Sequence, residues 1–317
     1  MIRHLCLIVT LATAALLMGL LPGCGNSETR PVDPQPENPF EDFVLGRADA
    51  LEVVTWNLHN FAEDAGRDEV ALAAQVIEAL GADVVAVQEI AESSRFDDLL
   101  EALPAWSGVQ ANTDNYQNLG YVWLDSTVTV RSLGEVRPQV DEAWRAFPRC
   151  PLVLEITWQG HDLALINNHF KCCGDGILES SNPNDEETRR QLACDLLEEH
   201  IAGAYAGQPV ILLGDLNDNL ADAWENNVFT TFLAQPEAYR FADQEVAEGP
   251  ANGWSWGPGR SHLDHIMVTA PLFSALEADG AACRTVRVDR ALPNGQFGDD
   301  LSDHAPVVLI LPGAFLP

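Results

Sequence analysis

Lysine is almost missing from this sequence. Its 317 residues contain one, Lys171, and Lys and Arg together number 17 against 48 Asp and Glu, a formal net charge of −31. A chain so poor in positive charge has no basic tract to neutralise a phosphate backbone, and its field repels polyanions at long range. This argues against broad, nonspecific binding to nucleic acid. It leaves room for a small cationic active site. The bulk charge itself reads as an adaptation for solubility or salt, with arginine standing in for lysine.

Cysteine is sparse too, with seven in the chain. Cys6 lies inside the apolar N-terminal run and Cys24 just after it, which leaves Cys150, Cys172, Cys173, Cys194 and Cys283. In an oxidising exterior these five allow two disulfides and one free thiol. A bond from Cys172 or Cys173 to Cys194 or to Cys150 is expected to pin the loop that follows His169; a bond between the adjacent pair is the alternative. The spaced pairs of a closed zinc site are lacking. Adjacent cysteines do not easily share a tetrahedron with His169 three residues away.

The N-terminus is a targeting segment. Residues 1–23 start with Arg3 and His4 and continue as an apolar run from Leu5 to Leu21, the pattern of a secretory signal. "LLPGC" resembles a bacterial lipobox, which implies cleavage before Cys24 and its lipidation. A plain membrane anchor competes with this reading, since the run is close to the minimum span of about 17–20 residues. Loss of residues 1–23 removes Arg3 and no acid, so the charge moves from −31 to −32. Residues 24–49 form a Pro-rich flexible linker; "RPVDPQPENPF" has four prolines in eleven residues, a composition that extends as a tether. Residues 50–317 remain for one large α/β domain or two smaller ones. The expected protein is extracytoplasmic and monomeric, held to the bacterial envelope only by its lipid, with no protein partner evident.

Short apolar runs alternate with amphipathic segments along residues 50–317. "LEVVTW", "DVVAVQ", "GYVWL", "TVTVRSL", "LVLEITW", "DLALINN", "PVILLG", "HIMVTA" and "APVVLIL" read as strands, several fully apolar and so buried on both faces. Val70, Ala73, Ala74, Ile77 and Leu80 recur at helical spacing, with Gly81 as a stop. "SSRFDDLLEALP" is a shorter helix. "NDEETRRQLACDLLEEHIAGAY" is a longer one, with Asn184 as N-cap and Glu187 completing a capping box.

The reactive side chains stand at the ends of these runs. Asn57, Glu89, His169 and the pair Asp215 and Asn217 close strands; Asp264 with His265, and Asp303 with His304, open them. If the last two strands run antiparallel to the others, all six clusters meet at one rim, a common place for catalytic groups. Glu89, Asn57 and Asp303 would supply hard oxygen ligands for Mg²⁺ or Mn²⁺. Asp264 would orient His304 for general base work. His169 and Asn217 are neutral donors for a phosphoryl oxygen. Together they suit metal-assisted, in-line attack of water on phosphorus.

The order "TWNL", "VQE", "NNHFK", "GDLND", "HLDHI", "SDHAPV", from about Leu51 to Leu311, resembles the endonuclease/exonuclease/phosphatase superfamily. That resemblance implies a four-layered α/β sandwich, two mixed β-sheets packed face to face with helices on the outside. It implies Glu89 as principal metal ligand with Asn57 beside it and Asp303 completing the shell. His304 would act on the attacking water and be oriented by Asp264; Asp215 would position or deprotonate the nucleophile; Asn217 and His169 would bind the scissile phosphate. Arg149, in "FPRCPLVLEI", is added as a phosphate-side contact. The tyrosine stretch usual between the Glu and His motifs is represented only by "LGYVWLD" with Tyr121. Lys171 is a candidate for rim charge, and Trp254 and Trp256 are candidates for stacking on bases or lying against lipid. The expected activity is that of an extracellular phosphodiesterase or nuclease acting on nucleic acid. A lipid phosphodiesterase, or an inositol or sugar phosphate hydrolase, is the alternative, although no strong apolar hairpin for a membrane is evident. An inactive cell-surface binding module is the reading from another class.

Overall fold

Consecutive apolar residues in the strand runs serve two different cores. The structure is a computed structural model describing residues 38–63, 68–111, 117–257 and 261–317; the expected signal segment, Cys24 and residues 25–37 of the expected linker lie outside them. Among the described residues are twelve strands: β1 (Ala50–Phe61), β2 (Val84–Ile90), β3 (Trp106–Gln110), β4 (Asn118–Leu124), β5 (Val128–Glu135), β6 (Leu152–Trp158), β7 (His161–His169), β8 (Val210–Asp215), β9 (Tyr239–Phe241), β10 (Asp264–Thr269), β11 (Ala282–Thr285) and β12 (Val307–Pro312). They form two six-stranded mixed sheets, ordered β11-β12-β1-β2-β4-β3 and β5-β6-β7-β8-β10-β9.

Val53, Val84 and Leu309 of the first sheet pack with Leu154, Leu165, Leu213 and Ile266 of the second in an inter-sheet core. Their neighbours Val54, Val85 and Val308 face outward and are covered by Ala73, Ile77 and Leu80 of α1 (Glu69–Leu80) and by Phe96 and Leu99 of α2 (Ser93–Ala102). On the far side Ile166 and Leu212 pack with Ala146 of α3 (Ala143–Ala146) and with Cys194 and Leu197 of α4 (Glu186–Ala204). Alternation along a strand thus feeds two apolar layers, which is why the runs read as continuously apolar. The architecture is the four-layered α/β sandwich. No helix among the described residues is long and apolar enough to cross a membrane.

Strand direction brings the clusters together. β1 and β2 are parallel, and β12 is antiparallel to β1. β7 and β8 are likewise parallel, and β10 is antiparallel to β8. The ends of β1, β2, β7 and β8 therefore share a rim with the beginnings of β10 and β12. Two polar side chains tie the sheets together beneath it. Buried Asn167 donates to Val87 O (3.0 Å) and Gly120 O (2.9 Å), and its Oδ1 accepts from Gln88 Nε2 at 2.8 Å.

Several expectations are corrected. The folded unit begins at Asn38 rather than residue 50. Phe40 is fully buried edge-on to Phe297, and Leu45 N–H donates to Leu80 O, so this part of the linker is packed rather than free. The N-cap of α4 is Asp185, whose Oδ2 accepts from Thr188 N at 2.9 Å; Glu187 turns away to Arg190 and Gly176 N. Cys150, Cys172, Cys173, Cys194 and Cys283 are all free thiols. Cys194 is buried in the apolar layer under α4 while Cys172 and Cys173 are exposed, so the expected staple is not formed. Tyr121 is sealed in the inter-sheet core, its hydroxyl donating to Leu152 O at 3.1 Å, and takes no part in the site.

At the end of β1 remote from the rim, Glu52 is almost fully buried beside Asp83, with Arg47 at 3.6 Å. Burial and then Asp83 raise its pKa from 4.5 to about 8, against the opposing pull of Arg47. A raised carboxyl favours folding below its unfolded pKa and costs stability as pH climbs toward its folded value. Glu52→Gln should therefore change the melting temperature little near about pH 5. Near about pH 9 it should raise it by about 2–4 °C for each kcal/mol recovered, read by calorimetry.

Candidate active site

Two bulges shape the rim. The β1–β2 pairing slips register between Asn57 and Phe61, and β2–β4 slips between Val87 and Ile90. Inside these bulges His59, Asn60 and Glu89 adopt φ of 50°, 54° and 61°. Such left-handed backbone is costly for non-glycine residues and collects at functional sites; bulges re-aim side chains. Here they aim the Glu89 carboxylate at the rim, where Oε2 accepts from Asn60 N (2.9 Å) and Oε1 from Asn57 Nδ2 (3.0 Å). The same Asn57 amide donates to Asp215 Oδ2 at 2.8 Å.

Asp215 ends β8 next to His169 on β7 and Asp264 on β10, in direct register with both. Gly214 before it has φ 144°, and a Cβ there would fall 2.0 Å from Asn168 O, so the backbone approach demands glycine. Asn217 follows at φ 53° with its N–H on Asp215 Oδ1 at 3.0 Å. His169 Nε2 lies 3.6 Å from both Glu89 Oε1 and Asp215 Oδ2. Opposite stands the pair His304–Asp264, Nδ1 to Oδ2 at 2.7 Å, both buried. The His304 loop is fixed to β1, since Ser302 Oγ donates to Asn57 O (2.6 Å) and Trp56 Nε1 to His304 O (3.1 Å). Glu89, His169, Asp215, Asn217 and His304 line one cleft of about 600 Å³, with Asn57 and Asp264 bonded behind them.

The cleft holds more negative than positive charge. Glu89, Glu187, Asp215, Asp218, Asp222 and Asp303 line it with Arg190 and His304, while Asp264 stands behind His304 and Arg149 behind His169. Burial lifts the Asp215 pKa to about 7; His304 pulls it down, while Asp264 and Glu89 push it up. Burial works against charge on His304, but Asp264, then Asp215 and Asp303, outweigh it and raise its pKa to about 10. Burial, Arg149 and His304 hold His169 well below its ordinary value, so it is neutral. The carboxylates favour charge on His304 and burial favours a neutral Asp215; a cation held by Glu89 and Asp215 would lower both pKa values.

A hard cation fits this donor set. Ligand atoms of Glu89, His169 and Asp215 lie within 4.8 Å of one another, and the buried Oδ1 of Asp303 has no hydrogen-bond partner. Glu89 and Asp215 would hold the ion, with Asp303 offering an oxygen from the His304 side. Asn57 differs from the expected ligand. Its Oδ1 accepts from His59 N at 2.8 Å, and its NH₂ faces the two carboxylates, so it acts here as their spacer.

The sequence pattern of the Endonuclease/Exonuclease/phosphatase family matches residues 54–304. The chain belongs to this family. Its members are metal-dependent phosphoesterases. No curated protein matches the sequence. Solved structures of the same fold include D. rerio TDP2 complexed with a single-strand DNA product (16% identity, TM-score 0.60, covering 82% of this chain and 98% of that one). A family protein from Bacteroides vulgatus (16%, 0.59, 83% and 98%) and the human Nocturnin catalytic domain with a bound sulfate (14%, 0.57, 84% and 95%) are similar to the same degree.

Outside this centre, the remaining candidates of this family member divide. Arg149 stands behind His169, donating to its backbone O at 3.3 Å and to Gln117 Oε1, so much of its fork is spent on protein. Lys171 turns into its own loop, with Nζ on Cys172 O at 2.8 Å and Glu186 at 3.8 Å, and does not line the cleft. Trp254 is engaged away from it, its Nε1 on Val246 O at 3.2 Å. Trp256 does line it, and its Nε1 holds Asp303 Oδ2 at 2.9 Å, which makes it a positioner of that carboxylate. Sequence reading missed His59, whose Nδ1 is 3.7 Å from Asp303 Oδ1, although it directly follows the first motif, two residues after Asn57.

It also missed the support beneath "GDLND". His265 donates from Nδ1 to Asp243 Oδ2 (2.6 Å) and from Nε2 to the Asp218 carbonyl (2.9 Å). Both acceptors lack hydrogens, so both ring nitrogens carry one and His265 is charged. His262 Nδ1 accepts from Ser255 N–H, so its proton is on Nε2, facing Asp243 at 3.1 Å. Asp243, His262 and His265 are close enough to hold a metal, but the ring nitrogens facing Asp243 are occupied by protons. The spacing of "HLDH", two histidines three apart, was the one available signal.

Proposed function

We propose that this chain is a divalent-metal-dependent phosphodiesterase that cleaves nucleic acid outside the cytoplasm, tethered through a lipid on Cys24. The observation that carries the catalytic part is the pairing of an acidic Glu89–Asp215 corner with the Asp264–His304 dyad across one cleft. Mg²⁺ or Mn²⁺ at Glu89 and Asp215 would offset charge on the scissile phosphate and acidify water.

The protein groups divide the remaining work. Asp215, as a carboxylate beside the ion, would position the attacking water. Asp264 accepts from His304 Nδ1 and so orients the ring. The His304 Nε2, 3.9 Å from both Asp215 Oδ2 and Asp303 Oδ1, faces the cleft, where it acts on the attacking water. Neutral His169 and the Asn217 amide add donors without adding charge. Trp256 fixes Asp303 and brings an indole edge to the cleft, where a base could lie against it. The DNA product bound by the D. rerio TDP2 structure supports nucleic acid as the substrate class. The apolar run of residues 5–21 and "LLPGC" support export and lipidation.

A panel of plasmid DNA, RNA, bis-p-nitrophenyl phosphate, sphingomyelin and inositol phosphates, assayed with Mg²⁺, tests the substrate class. Turnover of DNA or RNA together with the chromogenic diester is expected. Turnover confined to sphingomyelin or inositol phosphates would overturn the nuclease reading.

A further inference from the structure

The two adjacent cysteines stand free at the mouth of the cleft. Cys172 and Cys173 are exposed, and both line the cavity that holds Glu89, Asp215 and His304. The Cys173 thiol donates to Cys172 Sγ at 3.0 Å. That is about 1 Å longer than the S–S bond they would form. Lys171 Nζ lies 3.7 Å from Cys172 Sγ.

The backbone around them is held. Buried Arg190 donates to Lys171 O and Cys173 O, each at 2.8 Å, and is anchored in turn by Asp218 (2.8 Å) and Glu187 (3.0 Å). Gly174 presses so closely on the Glu187 carboxylate that a Cβ would sit 2.2 Å from it. The groupings of described side chains able to hold a metal contain no cysteine. Two adjacent thiols without a third soft donor make a poor metal site but a complete dithiol–disulfide couple.

We propose that Cys172 and Cys173 are a reversible covalent modification site: a vicinal dithiol that closes to a disulfide on reaction with a low-molecular-weight disulfide, and in doing so alters substrate access to the cleft. The Cys172 thiolate attacks the small disulfide, forming a mixed disulfide and expelling one thiolate. Cys173 loses its proton to solvent and attacks the Cys172 sulfur, forming the Cys172–Cys173 bond and expelling the second. The protein loses two electrons and two protons, and the small disulfide becomes two thiols.

Adjacent Cα atoms across a trans peptide are about 3.8 Å apart, short of the ~4.4–6.8 Å that disulfides prefer. The closed form is therefore strained and easily reduced, the character of a switchable bond rather than a structural one. Closure must also turn backbone whose carbonyls Arg190 holds, and Arg190 grips Asp218 in the loop of Asp215 and Asn217. The effect on access rests on the phosphodiesterase reading; the thiol chemistry does not.

The test uses the full chain, reduced and then exposed to excess oxidised glutathione, with intact-mass and peptide mapping. The wild type should lose two hydrogens, located in the peptide of residues 172–173, and regain them with dithiothreitol. Cys172→Ser and Cys173→Ser should each stop at one stable glutathione adduct, while Cys150→Ser should behave as wild type. The oxidised form should show a KM for bis-p-nitrophenyl phosphate changed by about threefold or more, with a smaller change in kcat. Stable adducts on the wild-type pair, a wholly unreacted pair, or a bond from either cysteine to Cys150 or Cys194 would overturn the site. A closed bond with unchanged KM would overturn its effect on access. Absence of any turnover in the reduced protein would instead count against the phosphodiesterase reading and leave the mass result standing.

Discussion

Glu89→Gln is expected to lower kcat/KM for a phosphodiester by about 10³-fold or more, a loss of about 4 kcal/mol of transition-state stabilisation. Glu89 is one of the two carboxylates that would hold the cation, and its left-handed backbone inside a bulge shows the fold bent to aim it. Glutamine has nearly the same shape but only one acceptor oxygen, so either the Asn57 or the Asn60 hydrogen bond is lost, about 1 kcal/mol. Against that, one negative charge leaves a corner shared with Asp215. The melting temperature should therefore stay within a few degrees of wild type, and activity and stability should separate. A second reading accompanies the first. Mg²⁺ should raise the melting temperature of the wild type by binding the folded state, and raise that of the variant much less. Activity within tenfold of wild type would remove Glu89 from the mechanism.

Asp243→Ala should be the most destabilising of the substitutions considered, by about 3–5 kcal/mol. The carboxylate is fully buried and accepts from His265, His262 and Ile266 N (2.9 Å). Burial alone would raise its pKa, but His265 and His262 together hold it well below the ordinary carboxylate range. Removing it strands the charged His265 in an apolar layer, flanked by the Phe229 and Phe241 rings. The melting temperature should fall by about 2–4 °C per kcal/mol. Excess chelator should not reproduce this fall in the wild type, because protons rather than a metal join the three side chains. A chelator-induced loss of the same size would show that they hold an ion.

Much of this was legible in the sequence because the relevant signals are local. The apolar runs marked nine of the strands, and the polar residues ending them marked the rim. Gly81 stops α1 with φ 59° and its N–H on Ile77 O, as its position after the periodic residues suggests. Strands β3, β9 and β11 were not legible. β3 carries little apolar pattern, and the other two are three and four residues long. The boundary at residue 50 misled for a related reason. Composition marks the prolines but cannot show that Phe40 finds a pocket beside Phe297.

Within the site, residue types were legible and states were not. That Glu89, Asp215, Asp264 and His304 meet follows from strand order. That burial raises the pKa of Asp215, and that neighbouring carboxylates raise that of His304, follows only from the folded arrangement. The amide of Asn57 faces the carboxylates because a backbone N–H two residues later claims its oxygen. Lys171 was read by its rarity, yet its side chain is captured by its own loop. The histidine of "INNHF" reaches the catalytic centre, and the cysteines after it belong to the mouth.

The central claim is metal-dependent phosphodiester hydrolysis at this cleft. It is tested most directly by the rate of bis-p-nitrophenyl phosphate turnover by the purified chain, titrated with Mg²⁺ after complete chelation. The account predicts no turnover in excess EDTA, recovery that saturates with Mg²⁺ or Mn²⁺, and no recovery in Glu89→Gln over the same range. Full turnover in excess EDTA, or equal recovery in the variant, would contradict it.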